Sequence, residues 1–158
     1  MPRQTREGLP LKVNIYLDTT VISALFDVRA PERQALTKLF WNRADDYDVF
    51  VSGLVMDEIQ GAPQPLRDRM MECVAGFTRL PVTEEARRLA ALYVQNGIFP
   101  EKYFDDALHA ALASTHHIGI LLSWNFTHLV KMKTRRMVAL VNTLHNYNPV
   151  EIITPPEL

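Results

Sequence analysis

Short, nearly continuous apolar runs alternate along this chain with stretches whose apolar residues recur every three or four positions. The run VNIYL at 13–17 is β-favouring and almost uninterrupted, which predicts a strand buried on both faces. TVISALF follows and predicts a helix starting close to Asp18, so Asp18 stands at a strand's carboxyl end. PERQALTKLFWNRADD opens with Pro, which suits a first helical position, and it puts Ala35, Leu36, Leu39 and Phe40 on one face of an amphipathic helix. DVFVS at 48–52 reads as the next strand. GLVMDEIQG then reads as a short helix carrying Glu58, ended by Gly61 and the prolines beyond it.

A further helix is predicted around Leu66 to Val74, and a third strand within FTRLPV. Thr83 is placed to cap a helix in which Ala86, Leu89, Ala90, Tyr93 and Val94 keep helical spacing up to Gly97. FDDALHAALAS predicts a helix with Asp106 in its first turn, where an acidic start suits the positive end of the helix dipole. GILLSW reads as a strand, about Arg135 to Leu144 as a helix, and EIIT leads into a closing TPPEL. This alternation predicts an α/β fold with a parallel sheet covered by helices on both faces, and such sheets bind ligands at the carboxyl ends of their strands. Residues 1–11 read as a loose extension and 12–158 as one domain.

Composition narrows the class. The 158 residues are 47% hydrophobic and 22% charged, ordinary for a globular chain of one-domain size. No apolar run approaches the roughly 20 residues that span a bilayer, and the polar start MPRQTREGLPLK is unlike a signal peptide. A soluble protein without a membrane partner is expected. Cys73 stands alone, which excludes an internal disulfide or thiolate zinc site and suits a reducing cytoplasm. The net charge of −1 gives no global attraction to nucleic acid, so any such role must be local. Lys131, Lys133, Arg135 and Arg136 form the best basic stretch, with Arg67, Arg69, Arg87 and Arg88 behind it; a solvated helix face explains each equally well.

Asp18, Glu58 and Asp106 each lie at or shortly after a predicted strand end or at a helix start, so all three can converge on one rim. Crowded carboxylates repel, and a hard ion such as Mg²⁺ or Mn²⁺ relieves the conflict. An ion held this way lowers the pKa of a bound water and neutralises charge on a phosphoryl oxygen, which points to phosphodiester hydrolysis. Acidic residues also occur at helix starts simply as caps, and only one of each neighbouring pair, Asp57 or Glu58 and Asp105 or Asp106, should face the rim. Asp105 is the better cap of its pair. His109, three residues after Asp106, can reach a carboxylate or phosphate, or pack as a hydrogen-bonded core histidine. His116, His117, His128 and His145 form no HExxH pattern and are assigned no metal. Ser123 and Asn125 present a hydroxyl and an amide to the same rim, or serve as turn formers.

The pieces LDTTVIS, VSGLVMDEI, DALHAALAS, LLSWNFTHL and the closing TPPEL, in this order, resemble the PIN-domain family, including the VapC-type toxin ribonucleases of toxin–antitoxin pairs. The resemblance spans nearly the whole chain. It implies a three-layer α/β/α sandwich with a central parallel sheet and selects Asp18, Glu58 and Asp106 as metal-gathering carboxylates. Asn125 then stands at the family's fourth position, often Asp, and as an amide it is a poorer ligand for a second ion. Ser123 takes the place of a frequent Thr or Ser. The resemblance further implies Mg²⁺- or Mn²⁺-dependent cleavage of single-stranded RNA by a metal-activated water, leaving a 5′-phosphate and a 3′-hydroxyl. As partners it implies a homodimer and an antitoxin covering the acidic rim, with an Arg inserted among the carboxylates.

Two other readings stand beside it. A haloacid-dehalogenase-like phosphatase also starts with an Asp past a buried strand, but its usual second Asp is Thr20 here. A non-catalytic RNA-binding or scaffold module would keep the fold, yet should tolerate apolar replacement of the acids.

Overall fold

The computed structural model describes residues 11–158, so nearly all of the extension expected over 1–11 lies outside the described residues. Strand β1 (Val13–Leu17) is exposed at its first two residues and fully buried from Ile15 to Leu17. Helix α1 (Thr19–Ser23) rises directly from it, but at Ala24–Phe26 the expected single helix tightens into a 3-10 turn. Helix α2 (Pro31–Asn42), strand β2 (Tyr47–Ser52) and helix α3 (Gly53–Gln60) follow where the pattern predicts. Helix α4 (Leu66–Val74), strand β3 (Thr78–Leu80) and helix α5 (Glu84–Gln95) complete the first half, with the Thr83 hydroxyl accepting from Ala86 N at 3.1 Å. Gly97 then turns the chain at φ 73°, in the left-handed region that a side chain resists.

The second half contains helix α6 (Phe104–Thr115), strand β4 (Ile120–Leu122), helix α7 (Met132–Leu144) and strand β5 (Glu151–Ile153). Helix α7 begins three residues earlier than its apolar spacing suggests. Thr154 and Glu157 close the chain with a reciprocal capping box, the Glu157 carboxylate accepting from Thr154 N at 2.7 Å.

All neighbouring strands pair in parallel, in the order β3-β2-β1-β4-β5. From β1 the chain winds outward to β3, then crosses back to β4 and continues to β5. Right-handed crossovers running in opposite directions put their helices on opposite faces. Helices α1, α3 and α4 accordingly contact one another on one face, with α2 packed on the 3-10 turn that follows α1, and α5 contacts both α6 and α7 on the other. The result is the expected α/β/α sandwich around a parallel sheet. Its winding reverses between β1 and β4, and sheets of this kind bind ligands at the carboxyl ends of the strands on either side of such a reversal.

One predicted face holds only in part. On α2, Phe40 is buried and Leu36 half-buried as expected, but Ala35 and Leu39 point to solvent and Thr37 is buried instead. The Thr37 hydroxyl explains its place inside: it donates to Arg33 O at 2.7 Å and accepts the Trp124 indole N–H at 2.9 Å. No helix of the described residues is long and apolar enough to cross a membrane.

Candidate active site at the sheet's switch point

Asp18 ends β1 and is itself the N-cap of α1, with a carboxylate 2% exposed. Its Oδ1 accepts from Thr20 N at 3.1 Å and from the Thr20 hydroxyl, and its Oδ2 accepts from the Ser123 hydroxyl. Ser123 continues β4, and pairing of β4 with β1 brings it to Asp18 across 105 residues of sequence. Burial raises the Asp18 pKa, and Glu58 nearby adds to the rise, while His109, Ser123 and Thr20 pull it down without cancelling it.

Glu58 stands on α3, which starts where β2 ends; the Ser52 hydroxyl caps that start by accepting from Val55 N at 3.3 Å. Glu58 Oε1 accepts from the Thr19 hydroxyl at 3.0 Å and lies 2.6 Å from His109 Nε2. No protein donor reaches Oε2 among the described residues. Burial would raise this carboxyl, but the hydrogen bond and charge of His109, with Thr19, bring its pKa below the ordinary value. His109 is correspondingly held above its ordinary value: burial pushes it down, and Glu58, Asp18 and Asp106 together outweigh that.

Asp106 sits half-buried in the first turn of α6. Burial raises its pKa against the pull of the Asn125 side chain, His109 and His128, and Glu58 adds to the rise. Asn125 is held by its own loop: its N–H donates to Ser123 Oγ at 2.9 Å, and its Oδ1 accepts from His128 N at 3.0 Å.

The five residues singled out in the sequence, Asp18, Glu58, Asp106, Ser123 and Asn125, therefore share one rim, linked by hydrogen bonds or direct electrostatic contact. Asp57 and Asp105 remain exposed beside it. Asp105 is no cap, because Tyr103 is the N-cap of α6, without a side-chain hydrogen bond, and Asp105 lies inside the first turn. Of the basic stretch, Lys131, Lys133 and Arg136 are exposed at the start of α7, and Arg135 reaches Glu157 at 3.8 Å. His109 fulfils both of its possibilities, being 2% exposed and bound to a carboxylate. Four partners were missed. Thr19 and Thr20 orient two of the acids, while Ser52 and Tyr16 extend a chain behind His109, with Tyr16 Oη 2.7 Å from His109 Nδ1 and 2.8 Å from Ser52 Oγ. Ser52 had a readable signal, a Ser between a strand and a helix; Tyr16 had none.

This donor set suits a hard divalent cation. Three carboxylates face a single imidazole, and two of them carry pKa values raised by burial and by a neighbouring acid, a cost that a cation removes. Among the described residues no three His, Cys, Asp or Glu side chains already form a metal-holding group. Mg²⁺ does not require one, since it takes one or two carboxylates and keeps several waters.

A family model described as the PIN domain matches residues 15–125. No curated protein matches the sequence. Among solved structures, the fold is similar to that of VapC20 from Mycobacterium tuberculosis, described as a sarcin–ricin loop cleaving toxin. Identity there is 18%, coverage is 72% of this chain and 92% of that one, and the TM-score is 0.57. It is also similar to VapBC2 from Rickettsia felis, seen bound to a DNA fragment from their promoter, at 9% identity, 89% and 97% coverage and a TM-score of 0.53. At such identities the likeness carries the fold alone. The family match covers more than half of the chain and runs from within β1 through Asp18, Glu58 and Asp106 to Asn125: the protein belongs to the PIN-domain family.

Proposed function

We propose that this protein is a Mg²⁺- or Mn²⁺-dependent endoribonuclease, acting through residues 12–158 as one nuclease domain and serving as the toxin of a toxin–antitoxin pair. The observation that carries the reading is the convergence of Asp18, Glu58 and Asp106 at the sheet's switch point, with two of the three acids held above their ordinary pKa. When bound, the divalent ion supplies an activated water and neutralises charge on the phosphoryl oxygen. Asp18 and Asp106 are the direct ligands in this reading. Glu58 offers Oε2 while Thr19 and His109 hold Oε1. Ser123 keeps Asp18 oriented, and Asn125, tied to Ser123 and His128, presents an uncharged amide where a second ion would want a carboxylate.

The toxin assignment draws on family membership and on the description of VapC20 as a toxin that cleaves the sarcin–ricin loop. An RNA substrate, an antitoxin covering the rim, a homodimer and action in the cytoplasm belong to the same proposal. The test is cleavage of pooled cellular RNA by purified protein in Mn²⁺ or Mg²⁺, beside EDTA and Asp106→Asn, with product ends sequenced. Metal-dependent cuts that vanish in the variant support the nuclease and begin to name its target. Metal-dependent stabilisation without cuts replaces it with the binding-only module.

A further inference from the structure

The loop after β4 faces two ways. Continuing the strand's alternation, Ser123 and Asn125 turn toward the carboxylates, while Trp124 and Phe126 turn toward α2. There the Arg33 guanidinium lies 5.3 Å from the Trp124 ring centre and 5.6 Å from that of Phe126. Trp124 is nearly buried and fixed at two points: its indole N–H donates to Thr37, and its backbone N–H donates to the Thr20 hydroxyl at 2.9 Å. That same Thr20 hydroxyl binds Asp18, so the aromatic platform and the acidic rim are tied through one atom. Phe126, in contrast, is 49% exposed beside a groove of about 470 Å³ that it lines with Arg33, Trp124 and Leu36 and with Ala30, Pro31 and Glu32 at the start of α2, where Glu32 is the one acid.

We propose that Phe126, with Arg33 beside it and Trp124 behind, forms a stacking subsite for a nucleobase of single-stranded RNA lying across the carboxylate rim. The proposal rests on the ribonuclease reading and adds how the substrate is held. An exposed ring offers its face to any base, and a neighbouring guanidinium serves both the base plane and a phosphate. Arg33 makes no salt bridge among the described residues, whereas the adjacent Asp27 is paired with Arg29 at 3.0 Å. Its charge is thus set against rings and felt by Asp27, but Asp27 is bonded to Arg29, which leaves the Arg33 guanidinium donors for an anion. The same loop repeats the theme near Asp106: Tyr103 stacks on His128 at 4.1 Å between ring centres, and the Lys102 ammonium is 5.5 Å from the Tyr103 ring centre. Two groupings of rings beside cations, one next to the acids through Thr20 and one near Asp106, match a strand of alternating bases and phosphates better than they match an apolar protein segment.

The test measures binding in EDTA, where no cleavage occurs, with a short fluorescein-labelled single-stranded oligoribonucleotide and the same backbone carrying abasic sugars. Phe126→Ala should weaken binding of the base-bearing RNA about tenfold. Phe126→Tyr should restore it, and the abasic strand should bind wild type and Phe126→Ala alike. Because Phe126 is half exposed, its truncation leaves no core cavity, and an unchanged melting curve checks that. Equal affinity of wild type and Phe126→Ala for the base-bearing RNA overturns the subsite and hands the groove to a protein partner. The two readings fail separately: base-dependent binding without cleavage in Mn²⁺ ends the nuclease and keeps the subsite. Cleavage with Phe126→Ala affinity unchanged does the reverse.

Discussion

His109 and Glu58 form a contact that runs from the core to the acidic rim, with His109 Nε2 2.6 Å from Glu58 Oε1 and side chains 3% and 35% exposed, and it is an ion pair whenever the imidazole is protonated. In the imidazolium form both ring nitrogens donate, one to Glu58 and the other to Tyr16, whose hydroxyl meets Ser52. The Glu58 carboxylate is thus anchored through α6 and β1 to the cap of its own helix.

Stability should follow pH accordingly. The raised His109 pKa stabilises the fold below the unfolded histidine value, about 6.5, and that contribution is lost as pH rises through the folded value. The lowered Glu58 pKa stabilises it above the unfolded carboxyl value, about 4.3, and that contribution is lost as pH falls through the folded value. Urea unfolding in EDTA should therefore show Glu58→Gln less stable than wild type by about 1–2 kcal/mol near pH 5–6.5, discounted for the exposure of Glu58. The gap should narrow on either side. A gap that persists unchanged well above pH 6.5 would mean that His109 is neutral in the pair.

Asp18→Asn should behave oppositely. Burial raises the Asp18 pKa, so its protonated form stabilises the fold below the unfolded value, and that contribution is lost as pH rises through the folded value. Asn remains a good N-cap. In EDTA at neutral pH the variant should be more stable than wild type by about 1 kcal/mol, an advantage that vanishes in acid. Adding Mn²⁺ should raise the melting temperature of wild type and leave the variant unmoved.

Asp106→Asn should lower RNA cleavage at least a hundredfold, roughly the loss of several kcal/mol of charge stabilisation, while the fold survives. Single-turnover assays in Mn²⁺ read this directly. Asn125→Asp should reduce metal-free stability by placing a fourth carboxylate on the rim, beside Asp106, and should enlarge the Mn²⁺-induced rise in melting temperature.

Ser123→Ala removes a donor to Asp18 Oδ2 and leaves the Asn125 N–H without its acceptor, both around a fully buried position. A loss of about 1–3 kcal/mol in urea unfolding is expected, growing as Asp18 ionises. Unchanged stability at neutral pH would show that water replaces the hydroxyl.

Local patterns made most elements legible. A strand buried from Ile15 to Leu17, the Thr83 cap and the Gly97 turn depend on residues a few positions apart. The placement of Asp18, Glu58 and Asp106 at strand ends or helix starts is equally local, and so could be read before the fold was known. Part of the α2 face was misread because hydrophobicity puts Leu39 inside, whereas the Trp124 indole needs a buried acceptor and draws in Thr37 instead.

Everything that turns separate acids into a site depends on long-range pairing. The reversal of winding sets β4 beside β1 and so Ser123 against Asp18, while α3 and α6 meet at Glu58 and His109, 51 residues apart. The sequence by itself determined which segments coil or extend and which carry acids at their ends, because backbone preference and capping act over a turn or two. Which acid gains a proton-holding neighbour, and which hydroxyl orients it, only the tertiary structure decided. Burial and charge coupling act through space between elements whose adjacency no local pattern records.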